Sequence, residues 1–172
     1  MEIDRDKLIA KAEALGFEYE QKYRGCAQCT FAALQDALGM RNAETDVIFK
    51  AASPMAGGVA GEGDGQCGAY SGGVLLLGYL YGREREHFAD PEQNRYRARD
   101  YASKFHRMFI QAYGSVTCEH IHRKLFGRTY YLRDPVDKAA YMDAGAYVDK
   151  CPNVVGHAAG WIVDILIEEG AL

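Results

Sequence analysis

Helix start and stop signals recur along the chain and constrain its fold more than any other feature. Asp90-Pro91 and Asp134-Pro135 each place a capping aspartate before a proline, the residue favoured at the first position of a helix. Three glycines that could end a helix in the left-handed conformation follow segments of helical periodicity, namely Gly39, Gly114 and Gly127. No alternation of apolar and polar residues longer than a few positions indicates a β-strand. The sequence therefore predicts an all-α fold, a compact bundle of about six to eight helices.

The spacing of apolar residues places individual helices within one predicted domain, residues 1–172. A first helix should begin at Asp4 and bury a face made of Leu8, Ala12, Leu15, Tyr19 and Tyr23. A short helix should begin near Asn42, and another should cover about 68–82 after a glycine-rich loop. The later helices are predicted to start at Asp90 with Pro91 as first residue, to run over 134–147, and to open at Cys151-Pro152.

Composition and charge exclude several classes of partner. The net charge of −4 over 172 residues gives no electrostatic footprint for a nucleic acid or an anionic membrane surface. The N-terminal sequence MEIDRDKLIA lacks the basic start of a signal peptide, and the longest apolar run, 74–81, is too short to cross a bilayer. We therefore expect a cytoplasmic protein whose five cysteines are mostly reduced.

Four of the five cysteines fall at predicted helix starts: Cys26, Cys67, Cys118 and Cys151. A helix N-terminus presents unpaired N–H groups and roughly half a positive charge, which favours the thiolate and lowers the pKa of a cysteine. These four side chains are therefore predicted to converge on one site as thiolates, where they could act as redox cysteines or as metal ligands. Cys29, one turn after Cys26, is a fifth candidate redox cysteine.

A glycine-rich segment surrounds Cys67, with eight of the 19 glycines between Gly57 and Gly73. Glycine lets a backbone adopt positive φ or approach another group closely. The loop is therefore predicted to fold tightly over the cysteine site and to donate N–H groups to sulfur or to a bound anion. The candidate cofactor-binding glycines are Gly58, Gly61, Gly63, Gly65, Gly68 and Gly72.

Two short motifs bear on the choice of cofactor. Cys26 and Cys29 form a C-x-x-C pair, but Thr30 follows where covalent haem attachment needs histidine, so covalent haem is not expected. Cys118 and His122 lie four residues apart on a predicted helix and can face the same way. His122 is therefore a possible further metal ligand, although an exposed polar face also explains this histidine.

The cysteine pattern resembles the C-GCAxxG-C-C family of redox-active proteins. Cys67, Gly68, Ala69 and Gly72 match its C-G-A-x-x-G box, and three further segments resemble its other cysteine positions: GCAQ with Cys26, GSVTCEHI with Cys118, and Cys151-Pro152. Gly25 departs from the asparagine usual in the first segment, and Cys29 is an addition. The resemblance spans residues 26–151 and implies a helical domain with a four-cysteine site and a redox role.

The residues leave three activities open. Cys26 with Cys67 or Cys29 could perform dithiol–disulfide exchange with an unidentified redox partner. The four helix-start cysteines could instead hold an iron–sulfur cluster or tetrahedral zinc. A carrier that binds a metal, a sulfur species or a small anion without catalysis is the alternative. Apolar helical surfaces are also compatible with a homodimer.

Overall fold

The computed structural model describes residues 4–172, and residues 1–3 lie outside that part. The described residues form eight α-helices and no β-strand, which confirms the predicted all-α class. Gln66 and Thr117 form an isolated β-bridge. The helices are α1 (Arg5–Tyr23), α2 (Cys26–Leu38), α3 (Ala43–Ala51), α4 (Gly68–Tyr81), α5 (Asn94–Tyr113), α6 (Cys118–Phe126), α7 (Pro135–Asp143) and α8 (Cys151–Glu168), with a 3₁₀ turn at Ser53–Met55 and a π-helical turn at Ala146–Lys150.

The bundle is centred on α2, α4 and α8, whose apolar side chains form most of the buried core. Helix α1 packs along α8, and the two backbones approach closely because glycines lie at the contact. A Cβ on Gly16 would lie 2.9 Å from the carbonyl oxygen of Val155, and a Cβ on Gly156 would lie 2.9 Å from that of Glu13. Small residues therefore decide which face of α1 turns inward.

The predicted buried face of α1 was wrong in part. Tyr23 is 72% exposed, whereas the buried residues of the helix are Ala12, Gly16 and Glu20. Leu8, Leu15 and Tyr19 of the predicted face are half-buried and pack against the core, whereas close packing on α8 fully buries the stripe at four-residue spacing. Glu20 lies at the end of the stripe and is buried with it.

The caps of three helices follow the sequence prediction. The side chain of Asp4 accepts a hydrogen bond from the N–H of Lys7 at the start of α1. Asn42 caps α3 and accepts hydrogen bonds from the N–H groups of Glu44 and Thr45. Asp134 caps α7, with Pro135 as its first residue. Each cap satisfies backbone donors that have no partner within the helix.

Two other boundaries differ from the prediction. Helix α5 begins at Asn94 rather than at Pro91, because Asp90 takes a left-handed conformation with φ of 55° and the chain turns before the helix starts. The segment predicted as one helix over 134–147 ends at Asp143. Gly145, with φ of 79°, then leads into the π-helical turn before Cys151.

Asp90 still caps α5, from across the turn. Its carboxylate accepts hydrogen bonds from the N–H groups of Asn94 at 2.7 Å and Arg95 at 3.1 Å, and the residue is 3% exposed. Replacing Asp90 with alanine is expected to lower the free energy of unfolding by about 1–2 kcal/mol, because two partly buried N–H groups lose their acceptor. Urea unfolding measures this effect. Glu92→Ala, at an exposed position of the same turn, is the control. Equal stability of the two variants would contradict the capping role.

Among residues 4–172, no helix combines the length and the apolar character needed to cross a membrane.

Candidate functional site

Four cysteines from different parts of the chain line one cavity of about 470 Å³: Cys26, Cys67, Cys118 and Cys151. Cys26, Cys118 and Cys151 are the first residues of α2, α6 and α8, and Cys67 immediately precedes α4. The cavity wall also includes Glu20, His122, Tyr141 and Tyr147. A volume of this size suits a small ligand or cofactor.

The segments that carry Cys67 and Cys118 are joined by backbone hydrogen bonds. The N–H of Cys67 donates to the carbonyl oxygen of Val116 at 2.7 Å, and the N–H of Cys118 donates to that of Gly65 at 2.9 Å. The N–H of Glu119 extends this pairing to Gly63. The starts of α4 and α6 are therefore held side by side, and both cysteines are buried at the cavity wall.

The glycine-rich loop folds mainly onto itself. Gly63 donates its N–H to the carbonyl oxygen of Gly57, and Gly65 donates to that of Gly58. A Cβ on Gly58 would lie 2.6 Å from the carbonyl carbon of Gly63, so only glycine allows this approach. Of the glycines proposed to contact a cofactor, Gly61 lines the cavity, together with Gly57. Gly58, Gly63 and Gly65 do not line it.

The N–H groups of the loop are mostly occupied. Those of residues 60–63 and 65 donate to carbonyl oxygens of the segment 54–59. These donors are therefore not free to bind an anion, which the sequence prediction had allowed. Burial raises the pKa of Cys26, and the N–H of Gly57 acts in the opposite direction.

Gly68 and Gly72 allow α4 to pack directly on α2. A Cβ on Gly68 would lie 2.8 Å from the backbone nitrogen of Ala27 and closer still to the sulfur of Cys26. A Cβ on Gly72 would lie 2.5 Å from the carbonyl oxygen of Ala27. These two glycines position Cys26 next to the start of α4, and neither lines the cavity.

Cys29 does not share the cavity with the other four cysteines. It is 3% exposed, its thiol donates a hydrogen bond to the carbonyl oxygen of Arg24 at 3.1 Å, and it does not line the cavity. All five cysteines are free thiols in the structure.

Burial dominates the electrostatics of the cavity thiols. It raises the pKa of Cys67 to about 11, although the N–H groups of Ala69 and Tyr70 act in the opposite direction. Burial also raises the pKa values of Cys26 and Cys118, and the mutual repulsion of the thiolates adds to both shifts. The prediction that helix N-termini lower these pKa values was therefore wrong, because loss of solvation outweighs the helix dipole.

Cys151 differs from the predicted helix cap. Helix α8 continues directly from the π-helical turn, and the N–H of Cys151 donates to the carbonyl oxygen of Ala146. Its neighbour is Tyr141, whose hydroxyl oxygen lies 2.8 Å from the Cys151 sulfur. Burial raises the pKa of Cys151, and the Tyr141 hydroxyl lowers it.

Two buried polar atoms of the cavity wall have no hydrogen-bond partner: Nδ1 of His122 and Oε2 of Glu20. The Nε2 atom of His122 lies 3.6 Å from the sulfur of Cys118, and burial lowers the pKa of His122 to about 4, so its ring is neutral at pH 7. The sequence pattern singled out His122 but not Glu20. The signal for Glu20 was its place four residues after Gly16 on the small-residue stripe of α1.

Glu20 should make the stability of the protein depend on pH. Burial raises the pKa of Glu20 from 4.5 to about 7, so between these values the folded protein keeps a proton that the unfolded chain releases. The stabilisation of the folded protein by this bound proton is complete below pH 4.5 and is lost as the pH rises to 7. The Glu20→Gln side chain cannot ionise. Between pH 4.5 and pH 8, the free energy of unfolding of this variant is therefore expected to rise by about 1–3 kcal/mol relative to that of the wild type.

Urea unfolding at a series of pH values measures this difference, with both proteins in the same metal state. Glu18→Gln is the matched control, because Glu18 is an exposed residue of the same helix. If the free energies of unfolding of Glu20→Gln and the wild type differ by the same amount at every pH in this range, the raised pKa of Glu20 is contradicted.

Within residues 4–172, no three histidine, cysteine, aspartate or glutamate side chains are grouped closely enough to hold a single metal ion. The four cysteines nevertheless face the same cavity.

Comparison with known proteins agrees with the cysteine pattern. No curated protein and no solved structure matches the chain. A family model described as "Putative redox-active protein (C_GCAxxG_C_C)" matches residues 25–165, which include all four cavity cysteines. The chain therefore belongs to the C_GCAxxG_C_C family.

Proposed function

We propose that the protein is a one-electron carrier whose cavity holds an iron–sulfur cluster bound by Cys26, Cys67, Cys118 and Cys151. The observation that carries this proposal is that four thiols from four separate segments line one cavity of about 470 Å³. Four cysteine thiolates are the common ligand set of such clusters. The family description, redox-active protein, agrees with this chemistry.

The arrangement of the thiols favours a cluster over a single zinc ion. Tetrahedral zinc needs all four sulfurs about 2.3 Å from one point. No such group occurs in the part of the chain that the structure describes. An iron–sulfur cluster would instead share the four cysteines among more than one iron, so its ligands would stand further apart than those of a single ion.

When bound, the cluster would supply reversible uptake of single electrons. The protein's own groups would set the potential at which this occurs. The N–H of Gly57 favours the thiolate of Cys26, the Tyr141 hydroxyl contacts Cys151, and His122 lies beside Cys118. Hydrogen bonds to cluster sulfurs and low solvent exposure are two of the factors that tune such potentials.

The test is to purify the protein without oxygen and measure iron, zinc, acid-labile sulfide and the visible spectrum. We expect stoichiometric iron and sulfide, together with an absorption band that bleaches on reduction. Zinc in place of iron would overturn the proposal, and so would protein that contains neither metal nor sulfide after reconstitution with iron and sulfide. Bound cluster that cannot be reduced would instead indicate a carrier without a redox role.

A second candidate function is dithiol–disulfide exchange by Cys26 and Cys67. The observation that favours this pair is the contact of the Cys26 sulfur with Gly68, the residue next to Cys67. The two thiols would form one S–S bond while their two electrons and two protons pass to a partner disulfide, which leaves as two thiols. Metal-free protein in which two thiols become reactive only after reduction would support this candidate.

A further inference from the structure

We propose that Arg133 and Lys138 form an anion site at the mouth of the cysteine cavity, and that the small molecules which exchange electrons with the cavity are anions. The charge of the redox partner rests on the proposed one-electron function, whereas the anion site itself does not. Neither cation belongs to the cysteine motif that names the family.

The mouth of the cavity lies between two segments of the chain. The exposed residues of the cavity wall occur only there, within residues 4–172: Ser53, Pro54 and Ala60 on one segment, Arg133 and Lys138 on the other. Glu20 is the other charged residue of the wall, and it is buried. A molecule that enters from solvent therefore meets two cations before it reaches the thiols.

The positive charge of these cations is only partly balanced by carboxylates. Lys138 makes no ion pair within the described residues. Arg133 has one, in which its Nε lies 3.7 Å from Oε1 of Glu62. That distance is too long for a hydrogen bond, and Oε2 of Glu62 accepts one from the hydroxyl of Tyr131. The guanidinium therefore keeps its donors for the oxygens of an anion.

Packing and helix formation hold both cations at the rim. A Cβ on Gly61 would lie 3.5 Å from Cδ of Arg133 and 3.7 Å from Cβ of Leu132, so the stem of the arginine lies against the wall. Lys138 is the fourth residue of α7, and its N–H donates to the carbonyl oxygen of Asp134 at 2.9 Å. The two side chains therefore extend from ordered backbone.

The surrounding charges favour a small anion over an acidic protein. Glu62, Asp134 and Asp137 lie next to the wall residues in the chain but do not line the cavity. An acidic protein surface laid across the mouth would meet these carboxylates and be repelled. A small anion that enters the mouth instead contacts the two cations of the wall, and such attraction raises the rate of encounter.

The first experiment compares two thiol reagents of similar size on the reduced, metal-free protein. Iodoacetate is an anion and iodoacetamide is neutral, but each forms a C–S bond with a cavity thiolate and releases iodide. The ratio of their rates therefore isolates the effect of reagent charge from that of thiol pKa. In Arg133→Ala and in Lys138→Ala, we expect the iodoacetate-to-iodoacetamide ratio to fall by about three- to tenfold. Lys7→Ala, at an exposed position in the first turn of α1, should keep the wild-type ratio.

The second experiment measures how fast the reduced, anaerobically purified protein passes one electron to a complex ion. Hexacyanoferrate(III) is an anion that becomes hexacyanoferrate(II), and hexaammineruthenium(III) is a cation that becomes hexaammineruthenium(II). Each variant should slow the first reaction by about the same factor as it lowers the alkylation ratio, and should not slow the second. In about 1 M salt this difference should disappear, because the charges are screened.

The outcomes separate the two parts of the proposal. An unchanged alkylation ratio in both variants would overturn the anion site. A lowered ratio without slower oxidation by hexacyanoferrate(III) would overturn the claim that the redox partners are anions. Protein that contains no redox centre after reconstitution would overturn the proposed function, whereas the alkylation ratios would still decide whether Arg133 and Lys138 attract anions.

Discussion

Replacing Cys118 with serine is expected to reduce the iron bound by the protein by more than about tenfold. Cys118 is the first residue of α6, its side chain is 5% exposed, and it lines the cavity. A serine hydroxyl is a poor substitute for a thiolate in an iron–sulfur site, because it is harder and far less acidic. Iron and acid-labile sulfide per protein chain, measured after identical reconstitution, give the result. Cys67→Ser should show the same loss.

Cys29→Ser is the matched control for both variants. Cys29 is also a buried cysteine close to the start of a helix, but it does not line the cavity, and its thiol donates to the carbonyl oxygen of Arg24. We therefore expect this variant to keep its iron, because a serine hydroxyl can donate the same hydrogen bond. Equal loss of iron in Cys29→Ser and Cys118→Ser would contradict the assignment of the four cavity cysteines as ligands.

Replacing Gly72 with alanine is expected to lower the free energy of unfolding by about 1–3 kcal/mol. The added Cβ would lie 2.5 Å from the carbonyl oxygen of Ala27 and 2.9 Å from the Cβ of Thr30, so α4 would have to move away from α2. The same movement would displace Cys67 relative to Cys26. The variant should therefore lose part of its bound iron in addition to its stability.

Gly78→Ala tests the same substitution on the same helix without the contact. Gly78 is exposed on α4, and a Cβ added there would have no atom of another residue within 4 Å outside the helix's own backbone. Alanine there should stabilise the protein by about 0.5–1 kcal/mol, because glycine lowers helix stability by this amount. Thermal and urea unfolding measure both variants. Destabilisation of the two by the same amount would show that the α2–α4 contact is not the cause.

The features that could be predicted from the sequence are local. The caps of Asp4, Asn42 and Asp134 bond to N–H groups two or three residues away, so the sequence contains both partners. Gly114 and Gly127 end their helices in the left-handed conformation by the same kind of local geometry. Asp90 shows the limit, since its bonds to Asn94 and Arg95 cross a turn that the Asp-Pro signal does not predict.

The features that could not be predicted depend on contacts between distant segments. The inward face of α1 is set by its packing on α8, which buries Glu20 and exposes Tyr23. The thiol pKa values are set by burial in the cavity, whereas the sequence shows only that the cysteines stand near helix starts. The cysteine pattern identified the family, but the carboxylate that faces those cysteines lies outside the pattern.

The most direct test of the cluster assignment is a crystal structure of the anaerobically purified protein, with diffraction data collected on both sides of the iron absorption edge. We expect an anomalous difference peak inside the cavity, within bonding distance of the sulfurs of Cys26, Cys67, Cys118 and Cys151. An iron peak elsewhere on the chain would contradict the assignment. So would a cavity without iron in a protein whose solution contains iron at stoichiometric amounts.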